Sequence, residues 1–283
     1  MLQPARKLAF VLASSNHGAM IVNRLDYRTD NTGRGDGVGF KILDQGAYDA
    51  IEVELAVKLL MLRREFHGNG VVGVDCGANI GVHTIEWANA MNGWGEVIAI
   101  EAQERLYYAL AGNIALNNCF NAIAVHGAVA AEPGVVKMPC PNYLTPGNFG
   151  ALELRERPDN EDIGQPIDYG EDKLVPVQKV PLDAIGLARV DLIKIDVGGM
   201  ELEALAGAQN VIDTHHPVLL VSGVKTSREL LHAWLAVHGY EVVEAGPNLL
   251  GIHASDPVRT HLRPSAPAPV QASWRTAGCR SPR

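Results

Sequence analysis

The sequence predicts an α/β fold built around a doubly wound, mostly parallel β-sheet. From residue 71 onward, short apolar segments alternate with helix-length segments, which is the pattern of strands joined by crossover helices. The apolar segments are nearly continuous, as is typical of strands that are covered on both faces. The chain has 283 residues, of which 47% are hydrophobic and 20% charged, so it can bury a large core and is not globally disordered.

Seven segments have the length and composition of strands. Five of them are 71–75, 96–101, 122–126, 190–196 and 217–221, and two further candidates are 241–243 and 249–253. Helices with one apolar face are predicted between them at 103–117, 200–212 and 227–238. Since a strand–helix–strand unit joins parallel strands through a right-handed crossover, these segments predict a largely parallel sheet.

The composition divides the chain into three parts. Residues 1–45 are predicted to form an N-terminal strand and loop region, and 46–256 the main domain, with a long insertion at 139–173. Residues 257–283 contain five arginines, five prolines and no acidic residue, which predicts a disordered basic tail. The apolar run 8–13 after Arg6-Lys7 is short for a secretion signal and has a poor cleavage site, so we interpret it as a strand.

Charge and cysteine content narrow the class of function. The chain has 24 basic and 32 acidic residues, a net charge of −8, which argues against a dedicated nucleic-acid binder. No apolar run approaches the ~20 residues of a membrane-spanning helix. The cysteines lie far apart and form neither a zinc signature nor a disulfide framework, which favours a cytoplasmic protein. They are Cys76, Cys119, Cys140 and Cys279.

A glycine turn follows the first predicted strand, with the sequence Asp75-Cys76-Gly77-Ala78-Asn79-Ile80-Gly81. It lacks the G-x-G-x-x-G spacing of a pyrophosphate cradle, which disfavours a nicotinamide-dependent oxidoreductase. An aspartate before the turn repels phosphate but accepts hydrogen bonds from an amine. Glu101, at the end of the second strand, is placed to accept both hydroxyls of a ribose. Together these features predict an S-adenosylmethionine site; the alternative is an ordinary tight turn between strand and helix.

Two charged residues lie two apart near the end of the fourth strand and therefore project to the same face. In one interpretation Asp196 positions or deprotonates an acceptor hydroxyl, and Lys194 holds the charge of Asp196. In the other, the two form a structural ion pair beneath the pocket. Both interpretations are open from the sequence. No metal-binding pattern is predicted, because adjacent His215 and His216 point in different directions and lack further ligands.

Three motifs, in this order, resemble the FkbM family of S-adenosylmethionine-dependent methyltransferases, over about residues 46–253. They are the glycine turn 75–81, Asn113-Ile114-Ala115-Leu116-Asn117-Asn118, and the segment 193–203 around Asp196-Val197-Gly198-Gly199. The resemblance implies a class I methyltransferase fold with a seven-stranded, Rossmann-like sheet. It also implies methyl transfer, commonly to hydroxyls of sugars, polyketides or other natural products.

The resemblance implies roles for individual residues. Asp75, Gly77, Asn79 and Gly81 would line the methionine part of the cofactor, Glu101 would hold the ribose, Gly127 and Ala128 would border the adenine, and Asp196 would face the transferred methyl. Two family carboxylates are replaced, since Gly198 and Ser222-Gly223 stand where glutamates are usual. We expect an O-methyltransferase for a small-molecule or glycan acceptor. The alternative is a cofactor-binding paralogue that has lost catalysis and has a regulatory or assembly role.

Overall fold

The computed structural model describes residues 7–29 and 35–261. The strands are β1 (Phe10–Ser15), β2 (Gly18–Asn23), β3 (Arg28–Thr29), β4 (Gly35–Asp36), β5 (Val71–Cys76), β6 (Gly95–Glu101), β7 (Ala122–His126), β8 (Ala128–Val129), β9 (Gly134–Met138), β10 (Val175–Val180), β11 (Leu192–Ile195), β12 (Val218–Ser222), β13 (Tyr240–Ala245) and β14 (Asn248–His253). The helices are α1 (Val38–Gln45), α2 (Ala50–His67), α3 (Val82–Ala90), α4 (Glu104–Leu116), α5 (Glu201–Ala206), α6 (Gln209–His215) and α7 (Arg228–Val237). Each of these helices is too short or too polar to cross a membrane.

Seven strands form the central sheet in the order β13-β14-β12-β11-β5-β6-β7. The five strands from β12 to β7 are parallel to their neighbours, and β14 pairs antiparallel with both β12 and β13. The predicted doubly wound, mostly parallel fold is therefore confirmed, and the seven predicted strand segments are the seven strands of this sheet. The strand order reverses between β5 and β11, and in open sheets such a switch point is where ligands bind.

The sheet is covered on both faces, as its uninterrupted apolar strands predict. Leu192 and Ile193 are neighbours on β11, yet they pack into two different hydrophobic clusters, because successive side chains point to opposite faces. The predicted helix 200–212 is two helices, α5 and α6. Gly207 lies between them, and a Cβ there would come within 2.0 Å of the carbonyl oxygen of Ala130, which leaves room only for glycine.

The N-terminal region is part of the main domain rather than separate from it. Met20 and Val22 of β2 belong to the same hydrophobic core cluster as Leu59 of α2. Asn113 of α4 accepts a hydrogen bond from the backbone N–H of Ile21, at 2.5 Å, and donates to the carbonyl of Ile80 at 2.8 Å. The predicted boundary at residue 46 therefore does not separate two cores. Asn113 belongs to the second motif, 113–118, and its role in the fold is to join β2 to the glycine turn.

The insertion and the predicted tail differ in how much the structure describes. Residues 139–173 contain one short 3-10 helix, Phe149–Ala151, and otherwise lack regular elements. The prediction of a disordered tail is wrong for its first five residues, which form a 3-10 helix, Pro257–His261. Val258 of this helix is fully buried in the same hydrophobic core cluster as Leu59, and the Asp256 carboxylate accepts its N–H at 2.9 Å. The rest of the predicted tail lies outside the described residues.

Candidate active site

A cavity of about 350 Å³ opens at the carboxyl ends of β5, β6 and β11, where the strand order reverses. A volume of this size suits a small molecule or cofactor. Its wall includes nearly all of the residues that the sequence singles out. These are Asp75, Gly77, Asn79, Glu101, Gly127, Ala128, Lys194 and Asp196.

The glycine turn shapes the floor of the cavity through its backbone. Gly77 adopts a left-handed conformation, with φ of 79°, and a Cβ there would lie 1.9 Å from the carbonyl oxygen of Asp196. Only glycine lets the ends of β5 and β11 approach this closely. Asn79 is also left-handed, with φ of 53°, which asparagine tolerates better than most residues. Gly81 does not line the cavity, contrary to the expectation; it precedes α3 and packs against Leu110.

Asp75 is buried and only half satisfied. Its Oδ2 accepts a hydrogen bond from the Thr84 hydroxyl at 2.7 Å, and its Oδ1 has no hydrogen-bond partner among the described residues. Burial raises the pKa of Asp75, while the positive charge of Lys194 opposes the rise. An unpaired carboxylate oxygen in a buried position costs free energy, so it is a candidate contact for a ligand donor.

Glu101 is held by the backbone of the turn that it faces. Its Oε2 accepts from the N–H of Asn79 at 2.8 Å, and its Oε1 accepts from the N–H of Gln103 at 2.7 Å. Burial raises the pKa of Glu101 to about 7, although these two bonds work in the opposite direction. Each oxygen keeps a second lone pair, so the carboxylate can still accept two hydroxyl donors.

Gly127 and Ala128 lie beyond the end of β7, on the Glu101 side of the cavity. The N–H of Gly127 donates to the carbonyl of Glu101 at 3.0 Å. A Cβ at Gly127 would come within 2.5 Å of the Val180 side chain on β10. β10 therefore packs this closely against Gly127 only because residue 127 has no side chain.

Lys194 and Asp196 face the same cavity, with the lysine Nζ 3.7 Å from an aspartate carboxylate oxygen. The Lys194 side chain is 8% exposed and the Asp196 side chain 56% exposed. Burial by itself lowers the pKa of Lys194, but the charges of Asp196 and Asp75 outweigh it and raise the pKa above its ordinary value. The pair therefore combines a buried, fixed ammonium with a carboxylate that is open to a bound molecule.

The loop after Asp196 is organised by Glu201, whose side chain the sequence gives no reason to expect in the interior. Glu201 is fully buried, and its Oε1 accepts from the N–H groups of Val197 and Gly199, each at 3.1 Å. Its Oε2 accepts from the Thr226 hydroxyl. Gly198, in place of the family's glutamate, has a φ of 60° and lines the cavity. The loop thus presents backbone rather than a carboxylate at this position.

Several cavity residues are missed by the sequence reasoning as functional candidates. Glu52 of α2 accepts a hydrogen bond from the Asn248 side chain at 2.6 Å, and His83 of α3 lies with its Nε2 3.4 Å from Glu52. Burial lowers the pKa of His83 well below its usual range. Asp49 precedes α2 and lines the same wall. The only sequence signal is their helical position, which an amphipathic cover helix explains equally well.

Comparison with known proteins identifies the class. Residues 75–242 match the family model described as the methyltransferase FkbM domain, so this chain belongs to a methyltransferase family. The family is FkbM, and the expectation from the three motifs is confirmed. The match begins at Asp75, the first residue of the glycine turn, and contains Lys194 and Asp196. No curated protein matches the chain.

Solved structures give more distant likenesses. The methyltransferase FkbM from Methylobacillus flagellatus is 20% identical, with 65% of this chain and 43% of that chain covered and a TM-score of 0.45. The precorrin-6y C5,15-methyltransferase from Geobacter metallireducens is 17% identical, with coverages of 74% and 89% and a TM-score of 0.39. A methyltransferase from Geobacter sulfurreducens is 14% identical, with coverages of 76% and 94% and a TM-score of 0.40. This chain thus spans less than half the length of the first of these proteins.

Proposed function

We propose that this protein transfers a methyl group from S-adenosylmethionine to a hydroxyl of a small-molecule or glycan acceptor. The observation that carries the proposal is that Asp75 and Glu101 border one cavity, at the switch point of a methyltransferase-family fold. Asp75 has a buried oxygen that finds no partner within residues 7–29 and 35–261, and Glu101 has two oxygens with spare lone pairs. The family supports methyl transfer, and the identity of the donor and acceptor is our proposal.

The residues present fit this cofactor in three respects. The unpaired Oδ1 of Asp75 suits an amine donor, such as the amino group of the methionine part. The oxygens of Glu101 suit the two hydroxyls of a ribose. Gly77 and Gly127 line the cavity with backbone rather than with side chains, which lets a flat or extended ligand lie against them. Gly77, Asn79, Gly127 and Ala128 would therefore hold the cofactor together with the two carboxylates.

The cofactor, when bound, supplies a methyl group on a sulfonium, which is already reactive toward a nucleophile. The protein has to align the acceptor, exclude water and take one proton. Asp196 is the base in our proposal: its carboxylate accepts the hydroxyl proton as the acceptor oxygen gains the methyl group. Lys194 keeps Asp196 oriented through the 3.7 Å contact between its ammonium and the carboxylate.

The charge around the cavity supports an acceptor without phosphate. The wall carries seven carboxylates, Asp49, Glu52 and Asp196 among them, against three lysines, Lys41, Lys194 and Lys225. An anionic acceptor such as nucleic acid would be repelled at this wall. Hydroxyl-bearing sugars or natural products can donate hydrogen bonds to the carboxylates, which favours them as acceptors.

Cofactor binding is tested by titrating the full chain with S-adenosylhomocysteine in a calorimeter. We expect Asp75→Ala and Glu101→Ala each to abolish measurable binding, because each removes the acceptor for a buried ligand donor. Glu96→Ala is the matched control, since Glu96 lies on β6 with Glu101 but is exposed. Unchanged affinity in both site variants, with the control also unchanged, would remove this assignment.

Turnover is tested with labelled S-adenosylmethionine and a panel of hydroxylated metabolites. We expect Asp196→Asn to lower the turnover rate by about 10²-fold or more while cofactor affinity stays nearly intact, because a general base contributes on this order. Full activity of that variant would rule out Asp196 as the base. Tight cofactor binding without turnover on any acceptor would instead support the regulatory or assembly role, which the replacements at Gly198 and Ser222 favour.

A further inference from the structure

Three side chains that the proposed reaction does not use converge on the cavity wall. Asp49 immediately precedes α2, Glu52 lies in the first turn of that helix, and His83 lies in the first turn of α3. One ligand atom from each lies within 4.8 Å of the corresponding atoms of the other two. Two separate helices therefore bring two carboxylates and an imidazole to one point.

His83 is the member of this cluster that needs an explanation. Carboxylates at a helix N-terminus require no ligand, because they suit the helix dipole. The imidazole, by contrast, is 94% buried, since its residue is 6% exposed, and neither ring nitrogen has a hydrogen-bond partner among the described residues. Buried polar atoms are nearly always paired, so an unpaired ring nitrogen directed at two carboxylates indicates a missing partner.

The spacing of His83 and Glu52 is that of two ligands around one cation, and the Asp49 ligand atom lies within 4.8 Å of both. His83 Nε2 lies 3.4 Å from Glu52 Oε1, outside good hydrogen-bond geometry. For metal–ligand bonds of about 2.1 Å, two ligands of a tetrahedral site lie about 3.4 Å apart. The edge of the Trp87 ring packs against the His83 ring at 5.7 Å between centroids, which fixes the imidazole in this orientation.

The remaining ligands of the cluster are available. Asp49 makes no side-chain capping bond to α2. Glu52 uses Oε2 to accept the Asn248 amide and leaves Oε1 facing His83. A polar neighbour that orients a ligating carboxylate in this way is typical of metal sites.

The charge balance of this wall also favours a cation. Lys194 is the ammonium that faces Asp49 and Glu52, and it faces Asp75 and Asp196 as well. Lys41 also acts on Asp49 but is paired with Asp36 at 3.0 Å, so two lysines serve five carboxylates, and the Lys194 Nζ lies 3.7 Å from Asp196. A divalent cation between Asp49 and Glu52 would bring the charge of the group much closer to zero.

We propose that Asp49, Glu52 and His83 form a binding site for a divalent cation of the Zn²⁺ or Mn²⁺ type. Two carboxylates with one imidazole suit these ions better than Ca²⁺, which takes oxygen ligands only. The three residues line the same cavity as Asp196, so open coordination positions of the ion would face the acceptor. The ion would hold the acceptor oxygen there. Only this role, and not the binding of the ion, rests on the proposed methyl transfer.

The site is tested on the chelator-treated full chain with MnCl₂, followed by electron paramagnetic resonance and calorimetry. We expect one strong site per chain in the wild type. Glu52→Gln, His83→Asn and Asp49→Asn should each weaken Mn²⁺ binding by at least about tenfold, since loss of a residue that merely orients a ligand already costs about 10- to 100-fold. The matched controls Glu54→Gln, His232→Asn and Asp44→Asn replace residues outside the cluster, exposed at positions 54 and 44 and half-buried at 232, and should leave the affinity unchanged.

A second readout identifies the imidazole. In a long-range ¹H–¹⁵N spectrum, Zn²⁺ should shift the ring nitrogens of one histidine, and that signal should be missing from His83→Asn. If this buried substitution prevents folding, Asp49→Asn decides the question, because Asp49 is exposed and asparagine tolerates its left-handed φ of 47°.

Two outcomes would overturn the proposal. One is the absence of a strong Mn²⁺ site in the wild type; the other is binding that survives in all three site variants. Either would mean that Lys194 and Lys41 balance the cluster without a metal ion. S-adenosylhomocysteine affinity measured on the metal-free chain tests the proposed function separately, so failure of the one does not imply failure of the other.

Discussion

Buried charges lie at both ends of the parallel strands of the central sheet, which we call its amino-terminal and carboxyl-terminal edges. The charges are balanced at the first edge and unbalanced at the second. At the amino-terminal edge, Asp191 is fully buried and accepts from Arg63 Nε at 3.1 Å and from Arg189 Nε at 2.8 Å. The N–H of Val72 also donates to Asp191 at 2.9 Å, and Arg63 reaches Asp256 at 2.5 Å. Two arginines thus serve two aspartates, and the oxygens of Asp191 are fully hydrogen-bonded.

The carboxyl-terminal edge is unbalanced. Lys194 faces four carboxylates, Asp75 Oδ1 has no partner among the described residues, and neither ring nitrogen of His83 has one. Unpaired buried polar groups cost free energy and persist where a ligand completes them. The difference suggests that the amino-terminal edge holds the fold together, whereas the carboxyl-terminal edge gives up stability to bind ligands.

The largest effect should come from breaking the balanced edge. Asp191→Asn removes the negative charge that faces Arg63 and Arg189. The amide N–H₂ of the asparagine would also point at N–H groups whose hydrogen bonds the Asp191 carboxylate accepts. Leaving a buried charge without its partner costs about 3–5 kcal/mol, so we expect the free energy of unfolding to fall by that amount in urea. Asp44→Asn, at an exposed position, should change it by less than about 0.5 kcal/mol. A loss below about 1 kcal/mol in Asp191→Asn would contradict the structural role of this edge.

The next largest effect is a pH dependence from the unbalanced edge. Burial raises the pKa of Glu101 from 4.5 to about 7, so between these values the folded chain holds a proton that the unfolded chain has lost. The free energy of unfolding of the ligand-free chain should therefore fall as pH rises from about 4.5 to about 7, with a contribution from Glu101 of about 3 kcal/mol. Above pH 7 this contribution becomes constant.

The control for this pH dependence is Glu101→Gln, which cannot titrate. Urea unfolding of the wild type and the variant at several pH values gives the difference between the two curves, in which other titrating groups cancel. That difference should follow the titration of one carboxyl. Parallel curves across pH 4.5 to 7 would show that the pKa of Glu101 is close to its ordinary value in the folded chain.

A smaller effect compares the two ends of one strand. Gly70 precedes β5 with φ of 86°, and Gly77 follows it with φ of 79°. A Cβ at Gly70 meets Arg189 at an ordinary 3.8 Å, whereas one at Gly77 overlaps the Asp196 carbonyl at 1.9 Å. We expect Gly70→Ala to cost about 1 kcal/mol from its left-handed backbone, and Gly77→Ala about 2 kcal/mol more. Equal costs in urea unfolding would mean that β11 moves away freely, so that the cavity floor is not fixed by Gly77.

Much of the carboxyl-terminal edge could be predicted from the sequence, because the residues that indicate it are neighbours in the chain. The turn from Asp75 to Gly81 follows an apolar strand directly, so strand, turn and helix are read from neighbouring residues. Parallel strands then bring Glu101 and Asp196 to the same edge as Asp75 without any further information. The seven strands were predictable for the same reason, since each is a short, continuous apolar segment.

The remaining features depend on contacts between distant residues. Nothing near Asn113 in the sequence shows that it bonds Ile21, more than 90 residues away, and so joins the N-terminal hairpin to the domain. Asp49 and His83 lie on separate helices, and only the packing of α2 against α3 brings them together. Gly81 has the right residue type and spacing for a ligand contact, but the Leu110 side chain occupies the space beside it.

The smallest expected change in stability is also the most informative about how the two edges of the sheet differ. Asp75→Asn makes the same chemical change as Asp191→Asn, at a carboxylate that is equally buried but only partly bonded. The Thr84 hydroxyl can still donate to the asparagine carbonyl, and loss of the attraction to Lys194 is offset by relief from burying a charge. We therefore expect the free energy of unfolding to stay within about 1 kcal/mol of the wild type, while S-adenosylhomocysteine affinity falls at least about tenfold. If Asp75→Asn instead destabilises the chain as much as Asp191→Asn does, Asp75 is a structural partner of Lys194, and the two edges do not differ in kind.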